Sequence, residues 1–327
     1  MFVETPFDVP EESRSNGGAA EAEALGRFVQ AGGGAFSDNT QRALRSDLAI
    51  YAAWCAERDL RALPAAPETV AAFVDAMGEL KAPATVRRYV TSIDIAHRIV
   101  GCANAAKSEA VRLALKRMHR RKGRRQDQAK GLTWPLRNRL LDAAGEKLID
   151  DRNRALLAVA YDGMLRRSEL SALQVPDLLE ELDGDATALV RRSKTDQEGG
   201  GEIVWIAPDS LTLVRIWLER GGIADGPLFR SVGKGGRIGG PLPPGQVPRI
   251  FKAMARAADL PASVVDGLSG HSTRVGAAQD MIGAGIEIPA ILHAGRWKST
   301  AMVSRYGARL QARQSGAARL ARLQGRA

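Results

Sequence analysis

The chain has 327 residues and a formal net charge of +10, with 47 Lys+Arg against 37 Asp+Glu. At 45% hydrophobic and 26% charged it reads as a folded protein rather than a disordered one, long enough for about two domains. The longest strictly apolar run, Leu48 to Ala56, falls far short of the ~20 residues of a membrane helix, and Met1 to Pro10 lack the basic start and apolar core of a secretory signal. Cys55 and Cys102 form no CxxC and no Cys/His cluster of metal spacing, which argues against structural disulfides or zinc. A cytoplasmic protein is expected.

In chain order, residues 1–34 form an acidic, Gly- and Ala-rich stretch that reads as a flexible arm. Helical signals begin at Ser37, a capping residue, followed by Ala43, Leu44, Leu48, Tyr51 and Trp54 at three- and four-residue steps. A second helix follows Pro67, with Val70, Phe73, Val74 and Met77 on one face. A third follows Pro83: Val86, Val90, Ile93 and Ala96 point inward, leaving Arg87 and Arg88 outward. A fourth covers about 106–120. These predict a small all-helical N-terminal domain over 35–120.

Residues 112–130 carry nine bases and one acid. A solvated helix end accounts for such a run, but so does a segment that tracks nucleic-acid phosphates. We read 121–131 as a basic linker lying on a polyanion, with Arg120, Arg121, Lys122, Arg124 and Arg125 as phosphate contacts.

The second domain, 132–327, opens with helical patterns around Leu136–Leu141 and Arg152–Tyr161. Strand patterns appear at Thr187–Arg192 and Glu202–Ala207, joined by a Gly-rich hairpin connection. Gly233 to Gly245 reads as a loop. Helical patterns return at Ser210–Arg220, Val247–Asp259, Ser272–Gly283, Pro289–Ala294 and Thr300–Leu310. The fold class is therefore mainly α with a small antiparallel sheet.

Four segments of this domain hold reactive side chains. Arg166 and Glu169 are three apart, so on a helix the carboxylate orients the guanidinium. Lys194 sits at a hairpin tip. His271 and Arg274 share one face at a helix start, where free amide donors favour an anion. Trp297 precedes Tyr306 by nine residues. Taken singly, each has an ordinary structural reading: a surface ion pair, a solvated lysine, a capped helix, an aromatic core.

Taken jointly, the order LRxxE, hairpin Lys, HxxR, GxW and Tyr resembles the tyrosine site-specific recombinases of the lambda-integrase type. Within that family, Ser269–Ala278, Ile288-Pro289 and Ala294-Gly295 resemble the Cre-like branch, as do Ala35-Phe36-Ser37 and Ala52–Cys55 near the front. The resemblance covers about 35–325. It implies Tyr306 as nucleophile, Arg166 and Arg274 as clamps on the scissile phosphate, and Lys194 as the acid for the leaving oxygen. It implies His271 as the histidine of the HxxR pair and Glu169 as the supporting acid. Trp297 stands where many members have a second histidine, so its indole N–H is the expected donor.

The chemistry fits these residue types. Arginines, an imidazole and an indole N–H can stabilise the extra charge of a phosphodiester transition state. No carboxylate cluster for Mg²⁺ and no GxxxxGK[ST] sequence is visible, so no metal or cofactor is expected. A duplex clamped by two domains would be contacted by Arg87, Arg88 and Tyr89 on one side and by Gln246, Arg249 and Lys252 on the other. The resemblance further implies double-stranded DNA with short inverted repeats and a homotetramer on two DNA sites, with a terminal helix near Ala317–Leu323 docking on a neighbour. No membrane or small-molecule substrate is expected. A type IB topoisomerase-like nicking-closing enzyme and a DNA-binding regulator on an inactive recombinase fold are the alternatives.

Overall fold

The computed structural model describes residues 36–124, 128–192, 200–313 and 315–326. The expected arm, Arg125 and Lys194 lie outside them. The chain divides into two compact units, one running through Asp127 and one from Gln128 onward.

Among the described residues the first unit has four α-helices: α1 (Asp38–Ala56), α2 (Pro67–Leu80), α3 (Pro83–Val100) and α4 (Glu109–Lys122). Ser37 caps α1 by accepting from the Thr40 amide, while Pro67 and Pro83 start α2 and α3, where a missing N–H costs nothing. Phe73 is fully buried at the centre, with the rings of Tyr51, Trp54 and Tyr89 at 4.9, 5.3 and 5.8 Å. The fourth helix starts later than the periodicity predicts. A 3₁₀ turn at Ala105–Lys107 precedes it, and Ser108 caps it.

Three expectations change here. Tyr89 is not a surface contact: it is 3% exposed, because Val86, Tyr89, Val90 and Ile93 share the buried face of α3. Arg88 is tied by two hydrogen bonds, of 2.9 and 2.7 Å, to Asp47, a buried carboxylate that also accepts from Ser92. Arg121 and Lys122 belong with Arg120 to the last turn of α4 rather than to a linker, since groups on α2 hold that end. Arg121 pairs with Glu79, Arg117 pairs with Asp75 at 2.5 Å, and Lys122 Nζ donates to the Glu79 carbonyl at 2.8 Å. Arg87, Arg120 and Arg124 are exposed.

The second unit opens with α5 (Trp134–Asp142) and α6 (Leu148–Asp162). The residues from Ala155 to Ala160 are all buried, so α6 runs through the interior. Next come α7 (Arg167–Ala172) and an antiparallel sheet of β1 (Leu178–Glu180), β2 (Ala186–Val190) and β3 (Glu202–Ile206), in the order β1-β2-β3. Period-two alternation gives the sheet one buried face, Ala186, Ala188, Val190, Val204 and Ile206. Its other face exposes Leu179, Leu189, Ile203 and Trp205. Strand β1 is not foreshadowed by the residue pattern, because its three residues are too few to show a period. After α8 (Pro208–Gly221), the expected Gly/Pro loop at 233–245 holds a strand, β5 (Ile238–Pro241), which pairs in a short hairpin with β4 (Arg230–Val232) just before it.

The remaining helices are α9 (Val247–Ala257), α10 (Ala262–Gly267), α11 (Ser272–Gly283), α12 (Ile288–Gly295), α13 (Ala301–Arg313) and α14 (Gly316–Leu323). Arg249 is exposed on α9, Gln246 precedes that helix, and Lys252 Nζ donates to the Asp266 carbonyl at 3.1 Å. No residue of α14 is buried. Among the described residues no helix is long and apolar enough to cross a membrane.

Helix α11 is held by an unusually close backbone approach. A Cβ on Gly276 would lie 1.8 Å from the Leu132 carbonyl oxygen, while the Leu132 amide donates to the Ser272 carbonyl at 2.8 Å. Backbone cannot yield as a flexible side chain can. Gly276→Ala should therefore destabilise the protein by about 3 kcal/mol or more. A urea unfolding midpoint equal to the wild type would contradict this packing.

Candidate active site

Helix α6 ends at Asp162, and the turn Gly163–Leu165 delivers Arg166 to the N-cap of α7. Met164 in this turn is left-handed, at φ 43°. Glu169 fixes Arg166 twice: its Oε2 accepts from the Arg166 backbone N–H at 2.9 Å, and its Oε1 from Arg166 Nη1 at 2.5 Å. Glu169 is 2% exposed. Burial pushes its carboxyl up, but hydrogen bonds from Arg166 and the charges of Arg296 and Arg166 outweigh that and hold it below the ordinary value.

His271 is the N-cap of α11, so Arg274 falls in the first turn on the same side. Arg274 is wholly buried. Its Nη1 donates to the Met164 carbonyl, its Nη2 to the Gly295 carbonyl at 2.6 Å, and its guanidinium lies 5.3 Å from the Trp297 ring centre. Its Nε is buried and has no hydrogen-bond partner among the described residues. Burial, with the charges of Arg166 and Arg296, lowers Arg274 to about 10. Arg274 thus forms the floor of the site.

The last residue of α12, Gly295, and its C-cap, Arg296, lead the chain to Trp297. A Cβ on Gly295 would lie 2.5 Å from the indole, so only glycine lets the ring fold back over the helix end. Arg296 follows as a left-handed C-cap, at φ 51°. The Trp297 ring packs edge-on to Tyr306, 5.5 Å between centres.

Tyr306 projects from α13 with 5% exposure, and its hydroxyl lies 2.7 Å from His271 Nε2. Burial raises the phenol, while Arg274, Arg305 and Arg166 pull it down. Burial lowers His271 to about 4, and the charges of Arg274, Arg166 and Arg305 act the same way. At neutral pH the pair is therefore phenol and neutral imidazole. With the imidazole proton on Nδ1, the Tyr306 hydroxyl donates to Nε2.

The structure thus gathers Arg166, Glu169, His271, Arg274, Trp297 and Tyr306 into one cluster. The sequence profile of the phage integrase family matches residues 136–313. Recombinase Cre of Escherichia phage P1 is 32% identical over 292 residues, covering 83% of this chain and 84% of that protein. The chain belongs to the phage integrase family. The integrase/recombinase XerD homolog of Selenomonas ruminantium is 31% identical over 281 residues, covering 83% of this chain and 81% of its own length.

Solved structures share the fold at lower identity. XerH recombinase in a post-cleavage complex with palindromic difH DNA superposes with a TM-score of 0.67 at 15% identity, covering 94% of this chain and 98% of that one. A lambda integrase tetramer bound to a Holliday junction gives 0.59 at 17% identity, covering 87% and 76%. On its family profile and its two relatives at 32% and 31% identity, this phage integrase family member is a tyrosine recombinase.

One residue of the cluster has no role that the sequence assigns. Arg296 is visible there only as the middle of Gly295-Arg296-Trp297, yet its side chain is 5% exposed and its Nη2 donates to Glu169 Oε2 at 2.6 Å. Its one signal is the absence of glycine at a helix end that turns left-handed.

The low value of His271 sets a pH dependence. A base with an ordinary value of 6.5 becomes protonated as pH falls below it, whereas His271 stays neutral until about 4. If neutral His271 takes the Tyr306 proton, strand cleavage at subsaturating DNA should show no loss through pH 6.5 and decline only toward about 4. A half-maximal point near 6.5 would exclude this assignment.

Proposed function

We propose that this recombinase cleaves and rejoins duplex DNA through Tyr306, forming a 3′-phosphotyrosine and then a Holliday junction, with no metal or ATP in the mechanism. The observation that carries this reading is the 2.7 Å approach of Tyr306 to an uncharged His271 inside a cluster of arginines.

The Tyr306 oxygen attacks the scissile phosphorus while its proton passes to His271 Nε2. The new oxygen–phosphorus bond replaces the bond to the 5′-oxygen of the next nucleotide, which leaves with a proton from Lys194. Arg166 and the Trp297 indole N–H donate to the non-bridging oxygens, Glu169 holds Arg166 in place, and Arg274 adds positive charge from below. The phosphotyrosine keeps the energy of the broken bond. A 5′-hydroxyl from a partner strand can then attack it, release Tyr306 and reseal the backbone.

Arg87, Arg120, Arg121, Lys122, Arg124, Gln246, Arg249 and Lys252 remain the candidate DNA contacts, mostly to phosphates. Short inverted repeats as targets, a homotetramer on two sites, and docking of α14 on a neighbouring protomer complete the reading. Leu320 and Leu323 of α14 are 51% and 87% exposed, as an unburied apolar face for such docking should be.

A nicked suicide substrate tests the chemistry. Wild-type protein should form a denaturant-resistant covalent adduct, and Tyr306→Phe should form none; an equal yield from the variant would remove the nucleophile assignment. Lys194→Ala should cleave about 100-fold more slowly, and a 5′-thio leaving group, which needs no proton, should restore the rate. Without that rescue, Lys194 is not the acid.

A further inference from the structure

We propose that Arg296 is a positioning residue for strand cleavage, setting Arg166 through Glu169; the inference rests on the function proposed above. Its backbone is left-handed, a conformation side-chain-bearing residues rarely adopt, and its guanidinium is almost fully buried. Both features are explained by what it holds. Nη1 donates to the Gly163 carbonyl at 3.0 Å, and Nη2 to the Met164 carbonyl at 3.3 Å and to Glu169 at 2.6 Å. Nε lies 3.1 Å from Glu202 at the start of β3, an ion pair carried by charge rather than an aligned hydrogen bond.

One guanidinium therefore joins three parts of the site. It braces the turn that presents Arg166, it shares the carboxylate that orients Arg166, and it reaches the strand returning from the Lys194 hairpin. The turn is itself left-handed at Met164, whose carbonyl accepts from both Arg274 and Arg296.

The sharing of Glu169 matters most. Its side chain is 1% exposed, so its charge must be met locally. Arg296 takes part of that charge, and Arg166, whose side chain remains 19% exposed, keeps donors for a phosphate. Without Arg296 the carboxylate depends on Arg166 alone and draws its guanidinium inward, because attraction in a low-dielectric interior is strong. The turn loses two of its carbonyl contacts at the same time.

Arg296→Gly tests this, since glycine accepts the left-handed backbone without strain. Adduct formation is measured on two suicide substrates, one with an ordinary scissile phosphodiester and one with a methylphosphonate there. The methylphosphonate lacks one charged non-bridging oxygen and so demands less of Arg166. On the phosphodiester, Arg296→Gly should be slowed about 100-fold, as displacement of a reactive group by roughly 1 Å implies, with DNA affinity unchanged. On the methylphosphonate, Arg296→Gly and Arg166→Ala should both come within about tenfold of wild type.

Wild-type speed on the phosphodiester, or equal slowing on both substrates, would overturn the inference. A wild-type protein that forms no adduct would instead overturn the proposed function. Should Arg296→Gly fail to fold, Arg296→Lys, which keeps one charge but lacks the fork, carries the same comparison.

Discussion

An ionised carboxylate can remain in a protein interior only where cations and donors surround it, and Glu169 is such a group. Much of the site follows from that constraint. Arg166 is turned toward α7 because the carboxylate lies one helical turn ahead. Arg296 tolerates a left-handed backbone because that conformation brings it to the same carboxylate. Three arginines crowd around one fully buried acid, with Glu202 at the edge. The cluster has more positive charge than it neutralises; burial first, and this excess after it, keep His271 uncharged and lower Arg274. An anion bound there would relieve it.

The same excess reconciles two requirements on Tyr306. A phenol must be shielded from water to stay ordered, yet burial makes its anion harder to form. The surrounding arginines offset part of that cost without giving up the buried position. The imidazole beside it stays free to accept a proton only because burial and those same arginines keep it unprotonated.

Much of this is legible in the sequence, and the exceptions have physical reasons. The helices of the first unit follow from apolar spacing because each has one buried face. Tyr89 reads as a surface residue because two arginines precede it, although its spacing from Val86 and Ile93 places it with the core. The bond between Arg88 and Asp47 joins residues 41 apart, and periodicity says nothing about such pairs. Short strands in Gly- and Pro-rich sequence leave no period at all. The basic run at 112–130 is legible as charge, but net charge does not tell how much is already matched: Arg117 and Arg121 face acids on α2. Within the site, the motif order points to six of the gathered residues. Arg296 stays silent because its importance lies in the backbone shape it adopts and the carbonyls it reaches, and no motif encodes either.

The contact between Gly276 and the Leu132 carbonyl has a consequence for sequence drift. His271 and Gly276 lie five positions apart, one capping α11 and the other inside that helix, yet different pressures act on them. A library selected only for folding should admit many residues at 271, where the side chain serves chemistry, and glycine alone at 276, where there is no room for a single carbon. Selection for recombination should then close position 271 as well. Position 276 marks the architecture and position 271 the reaction, and the two could be separated by comparing which substitutions each selection returns.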